Sequence, residues 1–343
     1  MHFSRAIRHC IFACLLLVAV LGEWFPSSAP LPQSGTSAGN SAKMNVPING
    51  DGHPPSSSVD FPSFADKARY HTQFLIDQAR LTGGLHPGRG EPIPNAADVH
   101  VLPVEDVSFY NWRGELLSGW LSLTSPTAPV IILTHGTPGN RVSMISRAAF
   151  LHDHGFNVLL FDFQSYGKSQ GEISTLGMVE SEDILAAISY IHSQLATEFS
   201  KIGVLGLSMG ATAAVLAASR SEDILALVAE SCPVDATRVT ADVPDEASRQ
   251  ADKQLVEEVY GVDITQARPI DVVNKLAGHT AIFFMNGDDD TITPLAGMQA
   301  LYRSASNPKQ YWVVPGAQHA QAFTTDPEEY MQRVDAFFDR YLR

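Results

Sequence analysis

Val204-Leu205-Gly206-Leu207-Ser208-Met209-Gly210 is the stretch on which the reading of this chain turns. The residues entering it, 202–207, are apolar, and those leaving it, 211–218, are small helix formers, so a strand runs straight into a helix. Positions 206–210 read G-x-S-x-G. A residue at so sharp a corner is forced into strained backbone geometry, and its neighbours two positions away must lack bulk because they press on adjacent chain. The corner side chain, Ser208, is then held out beyond the carboxyl end of the strand. The Met209 N–H, at the start of the helix, is free to bind negative charge developing on an oxygen. A phosphate-binding turn is the other use of a glycine-rich corner. It requires G-x-G-x-x-G or a terminal Gly-Lys-Ser/Thr, and neither is present.

Upstream, residues 130–134 form an apolar strand that ends in His135-Gly136-Thr137-Pro138-Gly139. Glycines placed there let the loop pass close to a neighbouring site, which makes the Thr137 N–H the natural second oxyanion donor beside that of Met209. His135 reads as a structural residue hydrogen-bonding this loop. A helix is expected over 144–154, a buried strand over 157–163, and an amphipathic helix over 177–195. Asp162, at the end of that strand, is expected to tie down the polar loop 164–171 through backbone N–H groups. Further upstream, residues 107–110 and 117–123 pair as a hairpin around Asn111-Trp112-Arg113-Gly114. The strands alternate with helices and lack a clean period of two, so both faces of the sheet are covered. That is a parallel sheet of the α/β class.

Downstream, a strand over 224–229 leads into Glu230-Ser231. Residues 232–278 follow without a strand and include a charged helical stretch, 245–260. This insertion suits a small cap, hence an open site and a substrate of moderate size. The next strand, 281–285, runs into Asn286-Gly287-Asp288-Asp289-Asp290-Thr291-Ile292-Thr293-Pro294. The aspartate run lacks the spaced oxygen ligands of a calcium loop. Lying after a strand and downstream of the serine, it suits the acid of a triad, with Asp288, Asp289 and Asp290 all in position and Glu230 a further alternative. A last strand, 310–314, precedes His319 in a loop with Gly316, where a general base can reach back over the sheet edge, and a helix over 327–342 closes the chain.

The chain has 343 residues, 45% hydrophobic and 17% charged, enough for one large α/β domain or two small ones. Its net charge of −14 argues against nucleic acid as a partner and against a strongly anionic substrate. Arg5, Arg8 and His9 precede an apolar block over 10–21, the pattern of a secretory leader and short of the ~20 residues of a membrane span. Residues 1–25 are therefore expected to be a signal peptide, or an uncleaved anchor tethering the protein to a membrane. Residues 26–60, rich in Pro, Ser, Gly and Asn, are expected to be a disordered linker, and 61–343 the folded domain, beginning with a helix over 64–81. Cys10 and Cys14 fall in the leader. That leaves Cys232 alone, a small buried residue rather than a nucleophile, in a fold without a disulfide.

Taken together, His135-Gly136-Thr137, Asp162 with its loop, the 206–210 pentapeptide, the 287–294 loop and His319 resemble, in type and order, the α/β-hydrolase superfamily. Within it the chain is similar to the compact, short-capped serine hydrolases of dienelactone-hydrolase-like and serine-aminopeptidase-like type. The resemblance spans about residues 107–342. It implies a mostly parallel eight-stranded sheet with helices on both faces and a small cap over about 232–278. It also implies a nucleophile at Ser208, an acid at Asp290, a base at His319, oxyanion donors at Thr137 and Met209, and neither metal nor organic cofactor. The family's usual Arg or His after the fourth strand's Asp is replaced here by Phe163-Gln164-Ser165-Tyr166, which bears on substrate-side contacts. The expected activity is that of an exported carboxylesterase or small lipase, periplasmic or extracellular, acting on a small-molecule ester. A peptidase acting on short peptides and a non-catalytic binding protein on the same fold are the alternatives.

Overall fold

The structure, a computed structural model, describes residues 92–171, 174–194, 201–236, 256–257 and 260–343, all within the unit Phe61–Arg343. The expected leader, linker and helix over 64–81, and much of the expected cap, lie outside the described residues. Eight strands are present: β1 (Glu105–Tyr110), β2 (Leu116–Ser122), β3 (Val130–Thr134), β4 (Asn157–Phe161), β5 (Ile202–Leu207), β6 (Ile224–Glu230), β7 (Ala281–Gly287) and β8 (Lys309–Val314). They form one sheet in the order β1-β2-β4-β3-β5-β6-β7-β8. The β1–β2 hairpin and the β2–β4 pair are antiparallel, and the other five pairings are parallel. The hairpin turn is closed by Asn111, whose side-chain oxygen accepts the N–H groups of Arg113 and Glu115, each at 3.0 Å.

The main helices are α1 (Ile145–Asp153), α2 (Glu180–Gln194), α3 (Met209–Ala218), α4 (Leu295–Ser304) and α5 (Pro327–Leu342). Strands β3, β4, β5 and β7 are buried along their whole length, which is why their sequences are apolar on both sides. Successive residues point to opposite faces. Val130, Ile132 and Val204 pack in one core with Ile184, Ile188 and Ile191 of α2 and Ala211 and Val215 of α3. Ile131, Leu133 and Leu205 pack in the other with Leu151 of α1 and Tyr330, Val334 and Phe338 of α5. Helix α3 is apolar on every side and every residue of it is buried, as its alanine-rich sequence requires.

Element boundaries follow local hydrogen bonds. β4 stops at Phe161 rather than 163 because the Phe163 N–H turns aside to His135 Nε2, at 3.2 Å. The helix expected from 177 starts at Glu180. The Glu180 carboxylate reaches back to the N–H groups of Thr175 and Gly177, both at 2.9 Å, while Thr175 Oγ1 accepts the Val179 N–H at 2.7 Å. That reciprocal cap holds the preceding turn outside the helix. The described part of 232–278 contains only short 3₁₀ turns, at Ile264–Gln266, Pro269–Asp271 and Val273–Leu276, apart from the isolated helical positions Val256, Glu257 and Tyr260. Among the described residues no helix is long and apolar enough to cross a membrane.

The direction of winding changes between β3 and β5. The chain leaves β3 toward α1 on one face and leaves β5 into α3 on the other, which opens a crevice beyond the carboxyl ends of these central strands.

Candidate active site

Ser208 stands in that crevice, at the corner between β5 and α3, with φ 54° and ψ −115°. A positive φ on a residue with a side chain is strained, and the surroundings hold it in place. The Ser208 N–H donates to the Glu230 carbonyl at 2.9 Å, and the Ser208 carbonyl accepts from Ala211 N and Thr212 N. The flanking glycines are required by contact: a Cβ on Gly206 would lie 2.6 Å from the Gly210 carbonyl oxygen, and one on Gly210 would lie 2.6 Å from that of His135. The Met209 N–H, in the first turn of α3, has no acceptor within the helix.

The loop after β3 presses on this corner. A Cβ on Gly136 would stand 3.1 Å from Ser208 Cβ, so the backbone carrying Thr137 passes directly beside the serine. His135 holds the loop from beneath. It is fully buried, its Nδ1–H donates to the Gly136 carbonyl at 2.8 Å, and its Nε2 accepts the Phe163 N–H. That pattern requires the neutral ring. Burial lowers the His135 pKa, against the pull of Asp162, in agreement with it.

Opposite the loop, His319 reaches in from beyond β8. Its Nε2 lies 2.9 Å from Ser208 Oγ, and its Nδ1 lies 3.0 and 3.1 Å from the two carboxylate oxygens of Asp290. The Thr293 N–H and the Ile292 N–H donate to Asp290 Oδ1 at 2.8 and 3.0 Å, and the Thr293 hydroxyl donates to Oδ2 at 2.6 Å. Burial alone pushes the Asp290 carboxyl up. The hydrogen bonds from His319 and Thr293, with the imidazolium charge, outweigh that and bring it down to about 2. An ionised Asp290 accepts a hydrogen bond from Nδ1–H, which keeps the proton on that nitrogen and leaves Nε2 to accept from the serine hydroxyl.

The structure thus brings Ser208, His319 and Asp290 into one hydrogen-bonded line, with Met209 and the Thr137 loop at its serine end. Asp288 instead accepts the Gly316 N–H at 2.6 Å, and Asp289 is exposed. The Glu230 carboxylate is bound by Arg147, Tyr330 and the Ala322 N–H. Asp162 accepts the Lys168 N–H of its own loop at 2.8 Å, and also the Arg141 N–H at 2.9 Å. Cys232 is buried and unpaired, its thiol pushed up to about 12 by burial, which removes it as a nucleophile near neutrality.

Sequence reading did not single out Thr293, Tyr166 or Arg141. Thr293 has the signal of an Asx-type turn, three residues after Asp290. Tyr166 is buried with its hydroxyl 2.7 Å from Ser174 Oγ and 3.2 Å from Met209 Sδ, bracing the first turn of α3. Burial, with Glu180 nearby, lifts its phenol far above the usual range, so it stays protonated. Arg141 is fully buried, 3.3 Å from Asp162 and stacked on Trp120, and no pattern in the sequence announces so deep a cation. Among the described residues no three His, Cys, Asp or Glu side chains converge as a metal site.

Comparison with known proteins agrees with this architecture. The profile described as alpha/beta hydrolase fold matches residues 129–269. The uncharacterised protein Rv2307c of Mycobacterium tuberculosis is 30% identical over 243 residues, covering 69% of this chain and 78% of its own. The uncharacterised protein YqkD of Bacillus subtilis is 24% identical over 232 residues, covering 65% of this chain and 75% of its own. Among solved structures, the Pyrococcus furiosus esterase Pf2001 matches with a TM-score of 0.62 at 26% identity, over 75% of this chain and 100% of its own. The profile takes in the strands around Ser208, and these likenesses cover more of the chain than it does. The chain belongs to the α/β-hydrolase superfamily.

Proposed function

We propose that this protein is an exported serine hydrolase that cleaves carboxylic esters through an acyl-enzyme on Ser208. One observation carries the reading: the unbroken hydrogen-bonded line from Asp290 through His319 to Ser208 Oγ, with steps of 3.0 and 2.9 Å. His319 Nε2 takes the hydroxyl proton as Ser208 Oγ attacks the ester carbonyl. Asp290 keeps the Nδ1 proton in place and stabilises the imidazolium. The N–H groups of Met209 and Thr137 receive the oxyanion of the tetrahedral intermediate. His319 then returns its proton to the departing alkoxide, and a water activated by the same nitrogen releases the acid. Each step moves a single proton, and the chain's own side chains supply both acid and base. Similarity to the Pyrococcus esterase supports ester over amide. Export is supported by the basic and apolar character of residues 1–25, followed by the linker composition of 26–60.

The test is a chain-length series of p-nitrophenyl esters run beside aminoacyl anilides on the purified protein. The reading expects ester turnover that Ser208→Ala lowers by about 10⁴-fold or more. Preferential turnover of the anilides would reassign the protein as a peptidase, and unaltered turnover in Ser208→Ala would remove the serine from the chemistry.

A further inference from the structure

His319 is carried by a loop, outside both the sheet and the helices, yet it must meet Ser208 Oγ to within a few tenths of an ångström for proton transfer. The loop's own bonds are few: Ala317 N donates to Val314 O at 3.3 Å, and Gln321 N to Gln318 O at 3.2 Å. Ala320, the next residue after the histidine, sits at φ 61°, a left-handed conformation that a residue with a side chain does not hold unaided. Something outside the loop must hold it.

Before the histidine, Asp288 accepts the Gly316 N–H and the Asp289 N–H donates to the Ala317 carbonyl; after it, two consecutive residues at the end of β6 take hold. Ser231 Oγ accepts the Ala320 N–H at 3.1 Å, and Glu230 Oε1 accepts the Ala322 N–H at 3.2 Å. Arg147 of α1 donates to the Ala320 carbonyl at 3.4 Å. Glu230 is itself fixed. Arg147 Nη2 donates to its two oxygens at 3.1 and 3.0 Å, Arg147 Nε to Oε2 at 3.2 Å, and the Tyr330 hydroxyl to Oε2 at 3.0 Å. The main chain of Glu230 faces the other partner, since its carbonyl accepts the Ser208 N–H at 2.9 Å. One residue therefore grips the nucleophile's corner with its backbone and the base's loop with its side chain.

A buried carboxylate–guanidinium pair is a poor source of stability, because desolvating both charges offsets most of their attraction. Its best-attested use is to fix geometry. We propose that Glu230, braced by Arg147 and Tyr330 and assisted by Ser231, is a positioning residue that sets the His319 loop so that Nε2 falls on the Ser208 hydroxyl. The inference rests on the serine-hydrolase reading above. The competing role is structural only, with the same cluster doing no more than fastening α1 and α5 to the sheet.

The two roles separate when turnover is counted per working site. The full chain and the variants Glu230→Gln, Ser231→Ala and Tyr330→Phe are titrated with diisopropyl fluorophosphate. Then kcat per titrated site, KM for p-nitrophenyl butyrate and the labelling rate are measured. Positioning predicts that Glu230→Gln lowers kcat per titrated site and the labelling rate together by about 10–100-fold, with KM within about threefold. Ser231→Ala, which removes only the bond to Ala320, loses about 3–10-fold in the same two quantities. A purely structural role lowers melting temperature or titre and leaves each surviving site at full speed. Should Glu230→Gln not fold, Ser231→Ala and Tyr330→Phe decide alone. If the folded variants all keep kcat per site within about twofold of wild type, the proposal is overturned and the serine-hydrolase reading stands. A wild type that neither titrates nor turns over esters overturns both.

Discussion

At the scale of single residues, Asp290, the proposed acid, makes the sharpest demand. Asp290 Oδ1 is bound by two backbone N–H groups, so an amide oxygen introduced there stays on that side. Asp290→Asn therefore turns its NH₂ toward Thr293 Oγ1 and His319 Nδ1, which forces the ring into the tautomer with hydrogen on Nε2. That proton faces Ser208 Oγ and the base is lost. Steady-state kinetics should show kcat down by about 10³–10⁴-fold with the fold intact, and a loss under tenfold would show that the acid lies elsewhere. The same carboxylate links folding to pH. Its folded value, about 2, lies below the unfolded 3.8, so about 2 kcal/mol of stability is present above pH 3.8 and is lost as pH falls toward 2. His135 acts in a higher window. Its ring is neutral in the fold with a lowered pKa, so the unfolded state binds an extra proton as pH drops below 6.5, and stability falls with it. Urea midpoints followed from pH 8 to 5 should decline below about 6.5, and His135→Gln should flatten that part of the curve. An unchanged slope in the variant would assign the decline to another group.

At the scale of elements, the corner between β5 and α3 was the most legible part of the chain. Its small residues are dictated by backbone contact rather than by choice of side chain. Gly210→Ala places a methyl group against the carbonyl oxygens of Thr134 and His135, both main-chain atoms that cannot swing aside. We expect at least about 3 kcal/mol lost in urea unfolding, or no soluble protein, and a variant of wild-type stability would contradict the packing described. The buried strands β3, β5 and β7 were legible from apolar runs alone, because both faces are covered. Where tertiary bonds compete with local pattern, sequence reading overran: β4 is cut short by the His135 ring, and α2 is delayed by the Glu180 cap. The bracing of the His319 loop was not legible. Arg147, Glu230 and Tyr330 lie on three elements far apart in sequence: the helical spacing of Tyr330 marks only a core face, Glu230 reads only as an alternative acid, and nothing in the sequence joins the three. Choosing Asp290 among three adjacent aspartates rests on the family pattern; in the structure Asp290 meets His319, Asp288 accepts the Gly316 N–H, and Asp289 faces solvent.

At the scale of the whole molecule, a net charge of −14 and a core on both faces of one sheet describe a protein stabilised by packing. Cys232 is free, so none of that stability rests on a disulfide through it. The proposed export belongs to this scale too. Edman sequencing of material recovered outside the cytoplasm should begin after Gly22 or near Ala29 if the leader is cleaved, and at the initiator end if it anchors. Recovery only from the cytoplasm would contradict export. The central claim, that one serine in one corner does the chemistry, is tested most directly by mass. The intact chain is treated with a fluorophosphonate and then mapped by peptide fragmentation. The account predicts one adduct per molecule, on Ser208, absent in Ser208→Ala and slowed severely in His319→Ala. An adduct that persists in Ser208→Ala, or a native chain that takes up none, would contradict it.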